Sequence, residues 1–414
     1  MRAVVIGGGL AGCAAALELV DGGADVTLYE ARPALGGAVQ TLPERDGDPS
    51  PPTENGQHIA LGCFTEYLAF LDRVGERSSY VRRPLDLPVI GADGRVASIR
   101  PALHSLLSYV HLPARERLRL MRVLLRLRSV AGERPLDTMT FGELLRELGA
   151  TPLQVERFWD FLVRSALNLP ADEAGAVPGL FTVQTALLGS REASDLILPS
   201  RPLGSMHGDA ANRALEKSGA TVLTGARVES VEDVDGDGVV VALPPAEAAQ
   251  VLGESPSTLE DSPIVSVHLL FDRRLLRSPL AALLGSDAHW VFDRGALTGN
   301  EPKEGQYLTV VSSGVPELMK LRGRELVEHI AAELTGRLGR AELLWSRVSR
   351  EPRATVALRP GTEQLRRGPQ TSRPHVVRAG AWTQTGWPVT MESAVRSGRT
   401  AANLLSDMTT RLAA

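Results

Sequence analysis

The 414 residues predict an α/β fold, a Rossmann-like dinucleotide-binding domain interrupted by an inserted domain of mixed sheet plus helices. Three observations carry that expectation. The chain opens MRAVVIGGGLAG, an apolar run that meets a glycine-rich turn. A second strand-like run ends on an acid, Glu30, eighteen residues beyond Gly12. Strand signals then thin out through a long helical stretch and return in its second half.

Gly7, Gly9 and Gly12 fit G-x-G-x-x-G. Glycine serves where the chain turns tightly, where backbone approaches a pyrophosphate, and where helix packs on strand. Ala14 to Val20 has helical period, and Asp25 to Tyr29 reads as the second strand. An acid at its end is placed to hold ribose hydroxyls. Residues 43–54 form a Pro-rich polar loop. Helical patterns dominate from about 64 to 190, with turns near Pro84, Pro113, Pro135 and Pro170. Between 219 and 243 short strands alternate with Asp-Gly dipeptides, which signals a hairpin. Further strands are expected at 263–271, 306–312 and 375–381, and helices over 324–338 and 390–405. This order predicts one domain from 1–75, 195–245 and 350–414, and a second from 76–194 and 246–349.

Composition narrows the function classes. Net charge is −4, so no global field favours nucleic acid. The two cysteines, Cys13 and Cys63, form no disulfide framework or metal-ligand pattern, which fits a reducing cytoplasm. No secretory signal is read at the N-terminus. No run of roughly eighteen apolar residues is present to span a bilayer. One segment is both basic and apolar. Arg115, Arg119, Arg122 and Arg126 share a helical stripe beside several leucines, a pattern that suits peripheral contact with anionic lipid at the inner face of the plasma membrane.

Three further motifs carry chemistry. Arg32 precedes a glycine pair, Gly36-Gly37, just after the second strand. Glu54-Asn55-Gly56-Gln57-His58 places four strong hydrogen-bonding side chains around a glycine and suggests a site loop. Near the C-terminus, Thr385-Gly386-Trp387-Pro388-Val389-Thr390-Met391 leads into a helix whose free N–H groups can stabilise negative charge.

Taken together, VVIGGGLAG (4–12), ENGQHIALGCF (54–64), ERFWDFLVRSALNLP (156–170), SDLILPSRPLGSM (194–206), HWVFDR (289–294) and AGAWTQTGWPVTMESAVRSG (379–398) resemble the hydroxysqualene dehydroxylase family. That family lies within the amine oxidase and phytoene desaturase-like flavoproteins. The resemblance implies FAD held by Gly7, Gly9, Gly12, Glu30, Arg32, Gly36, Gly37, the backbone of Val228 in the strand TGARVESV, and Gly386, Trp387, Pro388, Thr390 and Met391. It implies a long-chain isoprenoid substrate, hydroxysqualene, reduced to squalene without a metal. A carotenoid desaturase-type oxidase and a non-catalytic isoprenoid-binding protein share the scaffold and stand as alternatives. Two departures from the family pattern are Ala38, where Arg commonly follows the glycine pair, and Ala381, where Asp often precedes the tryptophan. His58 or Glu54 is the candidate proton donor. Asn55 and Gln57 are candidate partners of flavin or hydroxyl.

Overall fold

The computed structural model describes residues 1–101, 103–130 and 136–413. The expected turn at Pro135 lies outside them. Arg2–Ile6 is buried along nearly its whole length, as a central parallel strand must be. It pairs in parallel with Asp25–Glu30 on one side and Gly238–Val241 on the other. Thr221–Thr224 and Val376–Arg378 complete a five-stranded parallel sheet in the order 376–378, 238–241, 2–6, 25–30, 221–224. The first helix, Leu10–Asp21, lies against the last, Met391–Ala413. Gly398 permits the approach, since a β-carbon there would stand 2.1 Å from the Ala11 carbonyl oxygen.

The expected hairpin between 219 and 243 does not form. Its two strands are parallel members of one sheet, with two other strands between them. Val239, Val240 and Val241 are all buried, the mark of a strand covered on both faces. The Asp-Gly dipeptides serve another purpose: Asp237 accepts from the Arg2 backbone N–H (2.7 Å) and Asp235 from its guanidinium (2.9 Å). Val228 is also not in a strand, because pairing ends at Thr224. The last strand covers only 376–378, ended by the turn at Gly380 (φ +151°).

The second sheet has seven strands in the order 343–356, 261–271, 306–313, 290–293, 280–283, 87–90, 96–99. Residues 343–356 run straight through position 350 within it. Val265, Val267, Leu269 and Phe271 point to a core shared with helix Gly323–Leu338. Strand alternation puts Ser266 and His268 on the opposite face. The helical stretch from 64 to 190 is broken by Tyr80–Arg83, Leu87–Ile90 and Val96–Ile99, strands too short for periodicity to reveal. Tyr80–Arg83 joins Leu196–Pro199 and Ala60–Leu61 in a small antiparallel sheet. Three segments are π-helical: Val155–Trp159, Val183–Leu187 and Ser205–Asp209. Among the described residues no helix is long and apolar enough to cross a membrane.

Candidate functional site

The glycine-rich turn follows from its backbone. Gly7 has φ +108°, and a β-carbon there would lie 2.4 Å from the Ala242 carbonyl oxygen. At Gly12 a β-carbon would lie 1.8 Å from the Gly7 carbonyl oxygen. Gly9 differs, for its β-carbon would meet nothing nearer than Gly37 Cα at 3.7 Å. Gly9 stands at the N-terminus of the first helix, where no side chain caps the backbone and no acid occupies the first turn. The orphan N–H groups of a buried helix therefore face this turn.

The second glycine pair closes on the first. Gly9 and Gly36 form a parallel bridge, and Gly36 N–H donates to Gly8 O (2.8 Å). Gly37 has φ +60°, and a β-carbon there would sit 2.7 Å from Gly9 Cα. The Glu30 carboxylate accepts from Gly8 N–H (2.7 Å) and Arg32 N–H (2.8 Å). The Arg32 guanidinium donates to Gly37 O (3.0 Å). Ala226 N–H donates to Glu30 O and Gly225 N–H to Arg32 O, which brings the stretch before Val228 alongside. Ala38 is exposed at the rim.

The 54–58 loop is fastened to this turn. Asn55 Nδ2 donates to Ala38 O (2.8 Å), and Asn55 Oδ1 accepts from Gln40 N–H (3.2 Å). Gln40 Nε2 in turn donates to Gly37 O (2.7 Å). Glu54 is 1% exposed. Its Oε2 accepts from the Thr41 hydroxyl (2.8 Å), and its Oε1 from Leu203 N–H (3.1 Å) and Arg294 (3.4 Å). Burial raises the Glu54 carboxyl above its ordinary range, and the Arg294 charge works against that rise. Arg294, 3% exposed, also donates to Gln57 Oε1 and to Pro52 O. Glu54, Asn55 and Gln57 thus spend their polar groups inside the protein.

His58 is arranged differently. Its Nδ1 lies 3.1 Å from Gly56 O and its ring is half-buried. Burial lowers its pKa and the Gly56 carbonyl partly restores it. Nearby, Tyr67 Oη donates to His207 Nε2 (2.7 Å), whose Nδ1 donates to Leu203 O (2.7 Å). Burial, with a smaller contribution from His58, takes His207 down to about 4.

The C-terminal loop packs against the segment that follows 54–58. The Trp387 ring stands edge-on to Phe64 (5.8 Å) and Phe181 (5.0 Å), with the Arg396 guanidinium 4.9 Å from its centroid. Thr390 caps the final helix through Ser393 N–H (3.3 Å) and donates to Pro388 O (3.2 Å). Gly386 is exposed and Met391 half-buried at the helix start. Glu392, fully buried, accepts from Glu66 and Tyr67 N–H and from Arg396. Trp382 is buried, and its indole N–H donates to Leu243 O (3.0 Å).

Sequence reasoning missed two residues that hold these loops. Arg294 anchors 54–58. Arg366, 4% exposed, donates to the carbonyls of Ala381, Trp382, Thr383 and Trp387 and pairs with Glu363. The one available signal for Arg294 was its place at the end of the apolar run WVF. Nothing distinguishes Arg366 among so many arginines.

A parallel sheet, a bare helix N-terminus and a glycine pair closing on it define a dinucleotide-binding scaffold. Residues 10–406 match the flavin-containing amine oxidoreductase family, and the chain belongs to it. It is 26% identical to a hydroxysqualene dehydroxylase of Sinorhizobium fredii and 28% to one of Rhodopseudomonas palustris, each across 97% of both chains. It is 24% identical to a zeta-carotene desaturase of Synechocystis, across 98% of this chain and 97% of that one. Among solved structures, an oxidoreductase from Methanosarcina mazei superposes with a TM-score of 0.74 at 17% identity, covering 97% of this chain and 100% of that one. Putrescine oxidase superposes at 0.72 and 18%, covering 98% and 99%. The chain is a flavin-dependent oxidoreductase with the fold expected from its sequence.

Proposed function

We propose that the protein is an FAD-dependent hydroxysqualene dehydroxylase that forms squalene. The observation carrying this reading is its end-to-end similarity to hydroxysqualene dehydroxylases. FAD fits what the turn offers. A diphosphate would take the uncapped N–H groups behind Gly7, Gly9 and Gly12, and Gly36 and Gly37 leave room for it. Glu30 would turn from Gly8 N–H to ribose hydroxyls, Arg32 would add positive charge, and the Val228 backbone would meet adenine. Gly386 to Met391 would border the ring, with the helix N-terminus at its electron-rich edge. Residues 1–75, 195–245 and 350–414 would hold the cofactor and 76–194 and 246–349 the substrate, with strand 343–356 passing between them. The protein would work in the cytoplasm and draw its isoprenoid from the inner face of the plasma membrane.

The reaction exchanges a C–OH bond for C–H. One hydride and one proton enter, and water leaves. Bound reduced flavin supplies the hydride. The chain must supply orientation, dryness and the proton. His58 is the donor this reading favours, because its Nε2 is not engaged by the Gly56 carbonyl. Its lowered pKa makes the protonated ring a strong acid but a scarce one, so turnover should rise as pH falls. Glu54, Asn55 and Gln57 would position the loop beside the ring.

Anaerobic incubation of dithionite-reduced protein with hydroxysqualene, followed by mass analysis of the lipid, tests the proposal. Squalene is the expected product. Inert hydroxysqualene, together with dehydrogenation of a carotene precursor by the oxidised protein, would move the chain to the desaturase reading that its zeta-carotene desaturase relatives represent.

A further inference from the structure

Helix Ala114–Arg128 buries Leu120, Val123, Leu124 and Leu127 and turns a mixed face outward. Arg115, Arg119, Arg122 and Arg126 are exposed on it, with Leu118 52% and Leu125 54% exposed between them. Leu107, in the 3₁₀ helix Leu103–Ser108, and Val110, in the turn after it, are 44% and 45% exposed. Four of the eleven large apolar side chains exposed among the described residues therefore lie within 107–125. A water-facing helix ordinarily carries charge or polar groups there, so the interleaving of arginine and leucine is the unusual feature.

Beside this face runs a groove of about 650 Å³ lined by Arg115, Leu118, Arg119, Arg122 and Leu153. Its one acid is Glu116, only 5% exposed. Glu116 Oε2 accepts from the Thr151 hydroxyl (2.8 Å) and Gln154 Nε2 (3.1 Å), while Oε1 stays 3.7 Å from both Arg115 and Arg119. One buried carboxylate balances one of three lining arginines. The groove is positive on a chain whose net charge is −4, so its field is local and short-ranged.

We propose that this face docks the protein on an anionic bilayer, with Leu107, Val110, Leu118 and Leu125 entering the headgroup boundary and a lipid phosphate seated in the groove among Arg115, Arg119 and Arg122. Guanidinium groups match phosphate oxygens in charge and geometry. Neither property alone singles out a membrane. Leucines would suit many partners and arginines any anion, but alternating them along one exposed helix suits a surface that is charged outside and apolar beneath. The helix also backs the proposed site. Gln184 Nε2 donates to Leu127 O (2.9 Å) and Val130 O (3.1 Å) from the π-helical segment 183–187. Phe181, in the helix leading into that segment, meets Trp387. The docked face and the proposed flavin edge are thus joined through residues 181–184. This gives the isoprenoid reading a side of entry, and the proposal rests on that reading only for its purpose.

The test is co-sedimentation of the flavin-loaded protein with vesicles of phosphatidylcholine, with and without phosphatidylglycerol, at low and high salt. Wild type should pellet with the anionic vesicles and release in salt. Arg119→Glu with Arg122→Glu should weaken partitioning at least about 30-fold, the equivalent of two basic contacts. Leu118→Asn with Leu125→Asn should weaken it in a way salt does not mimic. Leu344→Asn with Leu365→Asn, exposed apolar positions elsewhere, should pellet as wild type does. Retained flavin absorbance and circular dichroism confirm that each variant is folded. Equal pelleting of the folded arginine variant would overturn the proposal. So would a wild type that stays in the supernatant yet binds inorganic diphosphate, which would give the groove to a soluble anion. Squalene formation from detergent-dispersed substrate is measured in parallel. Its survival in a wild type that does not bind vesicles would overturn the docking face and leave the reaction standing.

Discussion

The turn at residues 7–12 and the loop at 54–58 lie side by side, joined through 36–40, yet they use their residues in opposite ways. The turn works by lacking side chains. Gly7 and Gly12 have no room for a β-carbon, and the uncapped helix start behind Gly9 leaves its N–H groups unclaimed. The loop is dense with polar side chains, but Glu54, Asn55 and Gln57 are consumed by Thr41, Leu203, Ala38, Gln40 and Arg294. A ligand bound as proposed would be offered bare backbone by the first and mainly a fixed shape by the second. A cluster of chemically able residues is therefore not yet a reactive cluster. What counts is which donors and acceptors remain after the fold has taken its share.

That contrast can be broken most severely at Gly9. A β-carbon there meets nothing nearer than Gly37 Cα at 3.7 Å, so Gly9→Val should fold and purify without flavin. Stoichiometric flavin absorbance in the folded variant would remove the turn from the cofactor site. Gly12→Val, by contrast, should fail in folding, because its β-carbon collides with Gly7.

Next in size is the proton donor. If His58 is the free member of the loop, His58→Ala should slow squalene formation by roughly 10²- to 10⁴-fold with bound flavin unchanged. Glu54→Gln should act mainly on stability. Single-turnover rates with excess reduced flavin decide the matter. A rate collapse in Glu54→Gln with an unaltered denaturation midpoint would reverse the two assignments.

The buried pair comes third. Arg294→Met strands Glu54 at 1% exposure, and losing one partner of a buried pair typically costs about 3–5 kcal/mol. Urea unfolding should show that loss. Adding Glu54→Gln to Arg294→Met should recover part of it, since no charge is then left alone. Strict additivity would mean that the two residues do not act as one structural unit.

The smallest effect concerns His207, beside the loop. Its pKa is about 4 in the fold against an ordinary 6.5, so the folded state keeps it neutral while the unfolded chain takes up a proton. The stability due to this group is complete above about pH 6.5. It declines as pH falls towards about 4 by up to ~1.4 kcal/mol per unit, then levels off. His268 and His289, both taken down to about 3 chiefly by burial, extend the decline further into acid. Denaturant midpoints across that window should show it, and His207→Gln should make the upper part shallower while His268 and His289 maintain the rest. An unchanged slope in that variant would mean His207 keeps its ordinary pKa in the fold.

The legibility of the sequence follows the same division. Backbone requirements are written locally, so the first strand, the glycine turn, Glu30 and the helices at 323–338 and 391–413 could be read from short stretches. Pairings that depend on distant chain could not. Asp235 and Asp237 look like hairpin turns until Arg2, over two hundred residues away, is seen to claim them. Glu54 looks free until Arg294 is placed beside it. The short strands at 80–83, 87–90 and 96–99 owe their existence to partners such as 196–199 and 280–283. Val228 falls in TGARVESV, which the family resemblance presents as a strand, while its neighbours turn away after Thr224 to follow Glu30 and Arg32.

One contact bears on how the protein is made. Glu392 supplies the carboxylate that caps helix Thr65–Arg73, and the edge strand 376–378 docks on 238–241. Both come from the final forty residues of this sequence. A growing chain makes its glycine turn several hundred residues before the capping acid, the loop pinned by Arg366 and the helix start at Thr390. The turn and the residues that fasten the loops around it are thus far apart in sequence and meet only when the two ends of the parallel sheet are joined.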